Sequence, residues 1–234
     1  MLGIFPLDSK RRKLLLITIS TLIVIIFIAP SVLVYIQSFF FGRQEIVSTV
    51  RMITKDGGNA KAILYGIADW QNKNMVYDSR SFYFYPVPPF VLFRIGDPDP
   101  AWIMTIKRGG CGEYAILFNE MANLAGIPSR VVYNLSEDHM WCEVLINGSW
   151  IPVDGYRFND PRFYERPRSE GGWEKQLSYV YYLGPDGKQY DITKDYTDTG
   201  RLVVQVSKDG LLLEDAKLNP PISITSIFLS DTNI

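Results

Sequence analysis

A run of uncharged residues near the N-terminus constrains this 234-residue chain more than any other feature. It extends from Leu14 to Gly42, which is 29 residues, most of them apolar. The hydrocarbon core of a bilayer is roughly 30 Å thick, and a helix needs about 20 residues to cross it. The sequence therefore predicts a transmembrane helix over residues 14–41, preceded by a short N-terminal segment, residues 1–13.

Basic residues directly before this run predict its orientation. Four of them stand in sequence, opposed only by Asp8: Lys10, Arg11, Arg12 and Lys13. The positive-inside rule keeps such a cluster in the cytoplasm. We therefore expect a single-pass protein of the cell membrane, with the residues from 43 onward outside the cytoplasm. A cleaved signal peptide is the alternative, but its apolar region is normally about 7–15 residues and ends at a small-residue cleavage site.

Composition narrows the class of protein further. Apolar residues make up 47% of the chain and aromatic residues 14%, which is enough to bury a core. The net charge is −1, and because the first 42 residues carry +3, the rest carry −4. A nucleic-acid surface would need a basic excess, so we expect no nucleic-acid partner. The two cysteines permit one disulfide at most.

Periodicity predicts the framework of the domain after the apolar run. Apolar residues at helical spacing predict two helices between Glu45 and Asn74, separated at Asp56-Gly57-Gly58-Asn59. The proline-rich, aromatic stretch from Tyr77 to Pro100 predicts a long ordered loop, either a groove wall or a cover over the core. Residues 199–234 predict a short β-rich extension with three strands, at 202–206, 211–213 and 222–225.

A cysteine preceded by two glycines opens the next predicted helix. Gly109 and Gly110 precede Cys111, and helical spacing of apolar residues follows until Gly126. A thiolate is favoured at a helix N-terminus and beside an imidazolium. The glycines allow a sharp turn and close approach of a substrate, which makes Gly110 a candidate substrate-binding residue. The free N–H groups of the first helical turn can receive an oxyanion.

The only histidine of the chain begins a predicted hairpin. His139 to Ile146 and Ser149 to Val153 predict two strands joined by the turn Asn147-Gly148. A two-residue turn places Asp154 opposite Trp141 and makes it a diagonal neighbour of His139, at roughly 7–8 Å between backbones. Asp154 can then orient the imidazole for proton transfer with Cys111. Cys142 points to the other face of its strand and is the weaker nucleophile candidate.

Four segments of the chain resemble the core of the transglutaminase-like superfamily, which includes transglutaminases and peptide:N-glycanases. They are Gly110-Cys111-Gly112-Glu113-Tyr114-Ala115, Leu124-Ala125-Gly126-Ile127-Pro128-Ser129-Arg130-Val131-Val132, Asp138-His139-Met140-Trp141-Cys142-Glu143-Val144 and Trp150-Ile151-Pro152-Val153-Asp154. Asp191 to Thr197 also resembles the end of the glycanase-like domain. The resemblance covers roughly residues 45–198, and we take 43–198 as the domain. It implies a papain-like α+β fold, in which the helix bearing the cysteine packs on an antiparallel sheet with the His/Asp hairpin.

The resemblance also implies roles for the site residues. Cys111 would form a thioester with an acyl donor, His139 would serve as general base and acid, and Asp154 would orient it. The backbone N–H of Cys111 would bind the oxyanion, and Trp102 is the candidate for the family's second donor.

We expect Trp141 to form a groove wall and Trp150 to lie in the core. No cofactor is expected: the spacing of Asp191, Asp195 and Asp198 does not match a calcium loop of the EF-hand type, and they are expected to be turn residues. One histidine without a C-x-x-C pair does not make a metal site.

Two alternatives remain open from the sequence. Cys111 and Cys142 could form a structural disulfide in a domain outside the cytoplasm. The domain could also keep its triad residues and act as a binding or structural module. The interpretation we favour is a membrane-anchored cysteine enzyme that acts on an amide or peptide bond of a protein or peptide, with hydrolysis favoured over transamidation because water is the default acceptor.

Overall fold

The computed structural model describes residues 8–78, 84–87, 90–93, 99–135, 139–154, 179–197 and 204–205. The helices are α1 (Ser9–Gln37), α2 (Arg43–Thr54), α3 (Ala60–Asn74), α4 (Pro100–Ile106), α5 (Cys111–Leu124) and α6 (Thr193–Thr197), and a π-helical turn, Ser38–Gly42, joins α1 to α2. The strands are β1 (Val76–Tyr77), β2 (Phe84–Val87), β3 (Phe90–Phe93), β4 (Arg108–Gly109), β5 (Ser129–Asn134), β6 (His139–Ile146), β7 (Ser149–Asp154), β8 (Val180–Leu183), β9 (Gln189–Asp191) and β10 (Val204–Gln205). The predicted helices α2, α3 and α5 and strands β6 and β7 are confirmed.

A six-stranded sheet with the order β10-β7-β6-β5-β8-β9 carries the predicted hairpin. Its neighbouring strands are antiparallel except for β10, which pairs with β7 in parallel. In the hairpin Ile146 lies opposite Ser149 and Leu145 opposite Trp150, which is the predicted register. Asn147 and Gly148 have φ angles of 51° and 79°, as the tight hairpin turn requires.

Helix α5 packs on one face of this sheet and builds the main core. Its buried side chains meet those of β6 and β7 and of the helices α2, α3 and α4. Members of this core include Leu64, Ile67, Ile103, Leu117, Phe118, Met121, Cys142, Val144 and Val153. A second, smaller cluster contains Val132, Trp141, Val180, Ile192 and Tyr196. The domain is thus the predicted papain-like α+β fold, with the cysteine-bearing helix on an antiparallel sheet.

The stretch predicted as a long loop contains a β-hairpin. Strands β2 and β3 pair antiparallel, with Phe84 opposite Phe93 and Val87 opposite Phe90, and β3 lies beside α1. Prolines led to the loop prediction, but a hairpin of two strands has only edges, where proline is tolerated. The aromatic and β-branched residues around Pro86 favour extended backbone. The loop prediction was therefore wrong for residues 84–87 and 90–93.

Helix α4 was not predicted, although its start carries a helix signal. The side chain of Asp99 accepts a hydrogen bond from the Ala101 N–H at 2.9 Å, and Pro100 occupies the first turn. Both are typical of a helix N-terminus. With seven residues, α4 is too short for the hydrophobic periodicity on which the other helix predictions rest.

Strands β8 and β9 and helix α6 were also not predicted as elements. They extend the sheet beyond β5, and the backbone N–H of Val180 donates to the Thr193 hydroxyl at 2.9 Å. Of the three strands predicted after residue 199, β10 lies within the predicted segment 202–206 and pairs with β7 through Val204 and Val153. The other two, at 211–213 and 222–225, lie outside the described residues.

The apolar helix α1 is long enough and apolar enough to cross a membrane. Its described side chains up to Ile28 are exposed, and from Ser31 onward one face of the helix packs against the domain. There the ring of Tyr35 stacks on Trp102 with 4.4 Å between ring centroids. Ser38 and Gly42 are buried on the same side. The helix is therefore continuous with the domain core and is not attached by a flexible linker.

Gly42 lies where this helical segment approaches α4 closely. A Cβ atom at position 42 would lie 2.5 Å from the carbonyl oxygen of Ala101 and 2.9 Å from its Cβ. Gly42→Ala should therefore destabilise the protein by about 1–3 kcal/mol through overpacking. Thermal unfolding of the full-length chain in detergent measures this loss.

Gly58→Ala is the matched control for this substitution. A Cβ atom at position 58 would lie 3.4 Å from the Ala62 Cβ, which is ordinary van der Waals contact. Equal stability of the two variants would contradict the tight packing of Gly42 on α4.

Candidate active site

Cys111 is the first residue of α5 and is partly accessible. A buried carboxylate supports this helix start: Glu113 accepts a hydrogen bond from the Gly110 N–H at 2.9 Å. The first-turn N–H groups of the helix give its N-terminus a positive partial charge. The sulfur of Cys111 therefore sits where negative charge is stabilised.

Gly109 leaves space for the Glu113 side chain, and neither of the two glycines before Cys111 has an unusual backbone angle. Gly110 has φ −88° and ψ −164°, which is extended backbone, and Gly109 is not in the left-handed region. A Cβ atom at Gly109 would overlap the Cβ atom of Glu113. The expectation of a turn that requires glycine angles is corrected accordingly. The N–H of Gly110 is bonded to Glu113, and its carbonyl accepts from the Tyr114 N–H at 3.1 Å.

His139 and Asp154 meet across the β6–β7 hairpin. The distance from His139 Nε2 to Asp154 Oδ2 is 2.7 Å, and both side chains are largely buried. The predicted register explains the contact, because it makes the two residues diagonal neighbours on adjacent strands. Asp154 ends β7, and its backbone pairs with Gln205 of β10.

His139 also contacts Cys111. Burial by itself lowers the pKa of His139, but hydrogen bonds to Asp154 and Cys111, with the negative charges of both groups, raise it to about 10. The ring is therefore cationic at neutral pH, between a carboxylate and the sulfur. Three elements, α5, β6 and β7, bring Cys111, His139 and Asp154 together as the sequence predicted.

Trp141 lies behind His139 and not on a groove wall. Its ring stacks on the imidazole with 5.9 Å between centroids, and its Nε1 donates to the Tyr196 hydroxyl at 2.9 Å. Only 1% of the side chain is exposed. The groove-wall expectation was wrong because β8 and α6, which were not predicted, cover this face of the sheet.

A buried polar network continues from Trp141. The hydroxyl of Tyr196 donates to Glu143 Oε1 at 2.8 Å, and Arg130 Nε donates to Glu143 Oε2 at 2.7 Å. The Arg130 guanidinium lies over the rings of Trp150 and Tyr182, at 4.2 and 3.9 Å. Trp150 is half-buried beneath this guanidinium, so its expected place in the core is corrected. The sequence signal that would have predicted this network is the opposite charge of Arg130 and Glu143, which face each other on adjacent strands.

Trp102, the candidate second oxyanion donor, lies in the core between α4 and α1. Its ring is 2% exposed and stacks on Tyr35. Its Nε1 has no hydrogen-bond partner among the described residues. This packing places the indole against the apolar helix and gives no support to a role in substrate binding.

Cys142 is a core residue. Its sulfur donates to the Ala115 carbonyl at 3.1 Å, and burial raises the pKa of its thiol. Both cysteines are free, so the disulfide alternative is not realised.

Of the acidic residues expected in turns, Asp191 ends β9, and Asp195 lies in helix α6, so the expectation was wrong for Asp195. Asp191 Oδ1 accepts from the Thr193 N–H at 2.9 Å, just before α6. Asp198 lies outside the described residues. Within the described ranges, no group of three or more His, Cys, Asp or Glu side chains is arranged to hold a metal ion.

A cysteine at a helix N-terminus, packed against a hairpin that carries histidine and aspartate, defines a papain-like arrangement of the cysteine-enzyme type. Comparison with known proteins agrees with this class. Residues 47–155 match the family described as the transglutaminase-like superfamily, so the chain carries a domain of that superfamily.

Several similar proteins bear the name peptide-N(4)-(N-acetyl-beta-glucosaminyl)asparagine amidase. The one from Saccharomyces cerevisiae is 32% identical over 123 residues, which cover 51% of this chain and 31% of the relative. The one from Caenorhabditis briggsae is 35% identical over 112 residues, covering 46% and 17%. A solved structure described as a TGase aligns with a TM-score of 0.42 and 15% identity, over 60% of this chain and 37% of that one. The chain thus spans less than a third of the length of these two amidases.

The hydroxyl of Tyr196 joins Trp141 to Glu143, and its removal tests the network. Tyr196→Phe leaves the indole N–H and one carboxylate oxygen buried without this partner, so it should destabilise the protein by about 1–3 kcal/mol. Urea denaturation in detergent measures the change. Tyr190→Phe is the matched control, since its hydroxyl bonds Asp186 at 3.0 Å on an exposed turn, and it should change stability by less than about 0.5 kcal/mol.

The raised pKa of His139 predicts a pH dependence of stability. Above about pH 6.5 the unfolded chain loses the imidazole proton while the folded protein keeps it up to about pH 10. The stabilisation of the folded state by protonated His139 is therefore complete below pH 6.5 and is lost as the pH rises to about 10. Unfolding free energies measured from pH 6 to 10 should fall more steeply in the wild type than in His139→Gln. Parallel curves for the two proteins would contradict a link between protonation of His139 and stability.

Proposed function

We propose that this chain is a membrane-anchored cysteine amidase or peptidase, with its catalytic domain outside the cytoplasm. The observation that supports this most is the contact of His139 with both Asp154 and Cys111, at the N-terminus of a helix. In this proposal residues 1–13 are cytoplasmic, 14–41 span the membrane, 43–198 form the catalytic domain and 199–234 extend it. Cys111 is the nucleophile, His139 the general acid and base, and Asp154 the residue that orients it.

The first half-reaction forms an acyl-enzyme. The Cys111 thiolate attacks the amide carbonyl carbon, and the carbonyl π electrons move to the oxygen. First-turn N–H groups of α5, including that of Cys111, stabilise this oxyanion. His139, cationic at neutral pH, donates its proton to the leaving nitrogen as the C–N bond breaks. The products are an amine and a thioester on Cys111.

The second half-reaction returns the enzyme to its starting state. Neutral His139 removes a proton from water, whose oxygen attacks the thioester carbonyl, and the C–S bond breaks. A carboxylic acid leaves, and the thiolate–imidazolium pair is restored. Asp154 holds the ring through both steps by the bond to Nε2, so the other nitrogen, Nδ1, exchanges protons. An amine in place of water would give transamidation by the same route.

The substrate we propose is an amide or peptide bond of a protein or peptide outside the cytoplasm. The amidase names of the relatives support an amide as the bond attacked. Because the chain spans less than a third of those two relatives, their glycosylated substrate is not assigned to it. Trp102 and Trp141 are buried and have no part in the proposed substrate site. Gly110 remains part of the proposed substrate site because it directly precedes Cys111.

Thiol labelling of the full-length chain in detergent tests the nucleophile. Iodoacetamide should modify Cys111 much faster than Cys142, because Cys142 is buried and burial raises the pKa of its thiol. His139→Ala should slow the reaction at Cys111, while Cys142→Ser should leave that rate unchanged. Equal, slow labelling of both cysteines would contradict the nucleophile assignment and favour a binding module.

Turnover of a peptide library, followed by mass spectrometry, tests the reaction. Cleavage, deamidation and cross-linking leave different masses, and we expect hydrolytic products. His139→Ala and Asp154→Asn should each lower the rate by about 10²–10⁴-fold, the range typical of general acid–base catalysis. Tyr190→Phe, on the edge strand β9, should retain full activity. Rapid labelling of Cys111 with no product of any mass would contradict the enzyme proposal.

A further inference from the structure

We propose that the β2–β3 hairpin and the residues Phe39–Phe41 form a second contact with the bilayer, which seats the domain on the outer leaflet. We call these two segments the membrane lip. The proposal rests on the membrane anchor of the proposed function and adds a lipid contact that the anchor alone does not require. The occupant of this surface is the interfacial layer of the lipid bilayer.

The length of the free part of α1 gives the first argument. From Leu14 to Ile28 the helix is exposed wherever its side chains are described, and this stretch of 15 residues is about 22 Å long. A bilayer core of roughly 30 Å needs about 20 residues. The span must therefore include the turns around Ser31 and Tyr35, which pack against the domain. The adjoining part of the domain then lies at the depth of the outer leaflet.

Because the described side chains of α1 up to Ile28 are exposed, we place the contact of β3 with α1 at the later turns of the helix. Strand β3 is adjacent to α1, and β2 and β3 form a two-stranded sheet of their own. A two-stranded hairpin is marginally stable in water unless it packs on another element, and α1 is that element for β3. The stretch from Ser81 to Phe93 contains no charged residue and six aromatic ones, and Arg80 and Arg94 flank it. Aromatic residues between basic residues are typical of a segment at the membrane interface.

The aromatic residues after α1 give an independent argument. Phe39, Phe40 and Phe41 are 81%, 64% and 62% exposed on the π-helical turn. Three adjacent exposed phenylalanines, continuous with an apolar helix, are disfavoured in water and favoured in lipid. The first charged residue after them is Arg43, which pairs with Glu120 of α5 at 3.7 Å. The polar surface of the domain therefore begins directly after Phe39–Phe41 in this part of the chain.

This arrangement fixes the orientation of the catalytic helix. Trp102 of α4 stacks on Tyr35, and only residues 107–110 separate α4 from Cys111. Lys107 also pairs with Glu45 of α2 at 2.8 Å. The helix that carries the nucleophile is thus connected to the apolar helix by packed and charged contacts, so a lip in the bilayer holds the active site at a constant height.

Depth-dependent fluorescence quenching tests the membrane lip. The full-length Cys111→Ser chain is reconstituted in vesicles of phosphatidylcholine and phosphatidylglycerol, with a bimane label at Val87→Cys of β2. We expect quenching by lipids that carry a nitroxide near the headgroup and protection from aqueous iodide. Lys188→Cys, on the charged β8–β9 turn, is the water-exposed control and should show the opposite pattern. Leu22→Cys, within α1, reports on the anchor.

The three labels separate the possible outcomes. Lipid quenching at Leu22, with free access of iodide to Val87, would overturn the membrane lip and leave the anchor standing. Access of iodide to Leu22 would overturn the anchor and the lip together, while activity and thiol labelling would still test the enzyme. Phe39→Ser combined with Phe41→Ser should reduce the lipid quenching at Val87 without changing the near-ultraviolet circular dichroism. Unchanged quenching in this variant would contradict the part assigned to the phenylalanines.

Discussion

The hydrogen bond between His139 and Asp154 is the interaction on which the site depends, and the turn Asn147-Gly148 determines it. Two residues with positive φ fix which positions of β6 and β7 face each other. A slip of one residue would move every side chain to the opposite face of the sheet. The imidazole would then lose its carboxylate, and the sulfur at the start of α5 would lose its cationic neighbour.

Two layers of structure hold this pair in place. On one face of the sheet, α5 presents Cys111, and its helix start is supported by the buried carboxylate of Glu113. On the other face, Trp141 stacks on the imidazole and is itself held by Tyr196 and Glu143. The buried charge of Glu143 is neutralised by Arg130. A buried carboxylate with such partners is stable, whereas the loss of one partner is costly.

The N-terminal helix is part of the same packing. Its last turns share side chains with the core, and the contact of Gly42 with Ala101 leaves no room for a Cβ atom. An apolar helix on a flexible linker would allow the domain to rotate freely above a membrane. A helix that merges with the core transmits its own orientation to α4 and, through it, to the start of α5.

Local sequence determined what depends on neighbours along the chain. The apolar run, the helical spacing after Cys111 and the Asn-Gly turn predicted the helices α1 and α5, the hairpin register and the meeting of His139 with Asp154. Only the tertiary structure decided the burial of Trp141 and Trp102, because residues far along the chain, Tyr196 and Tyr35, cover them. The tertiary structure also decided the β2–β3 hairpin. A stretch of proline and aromatic residues fits a loop or a hairpin equally well, and only the neighbouring helix α1 distinguishes the two.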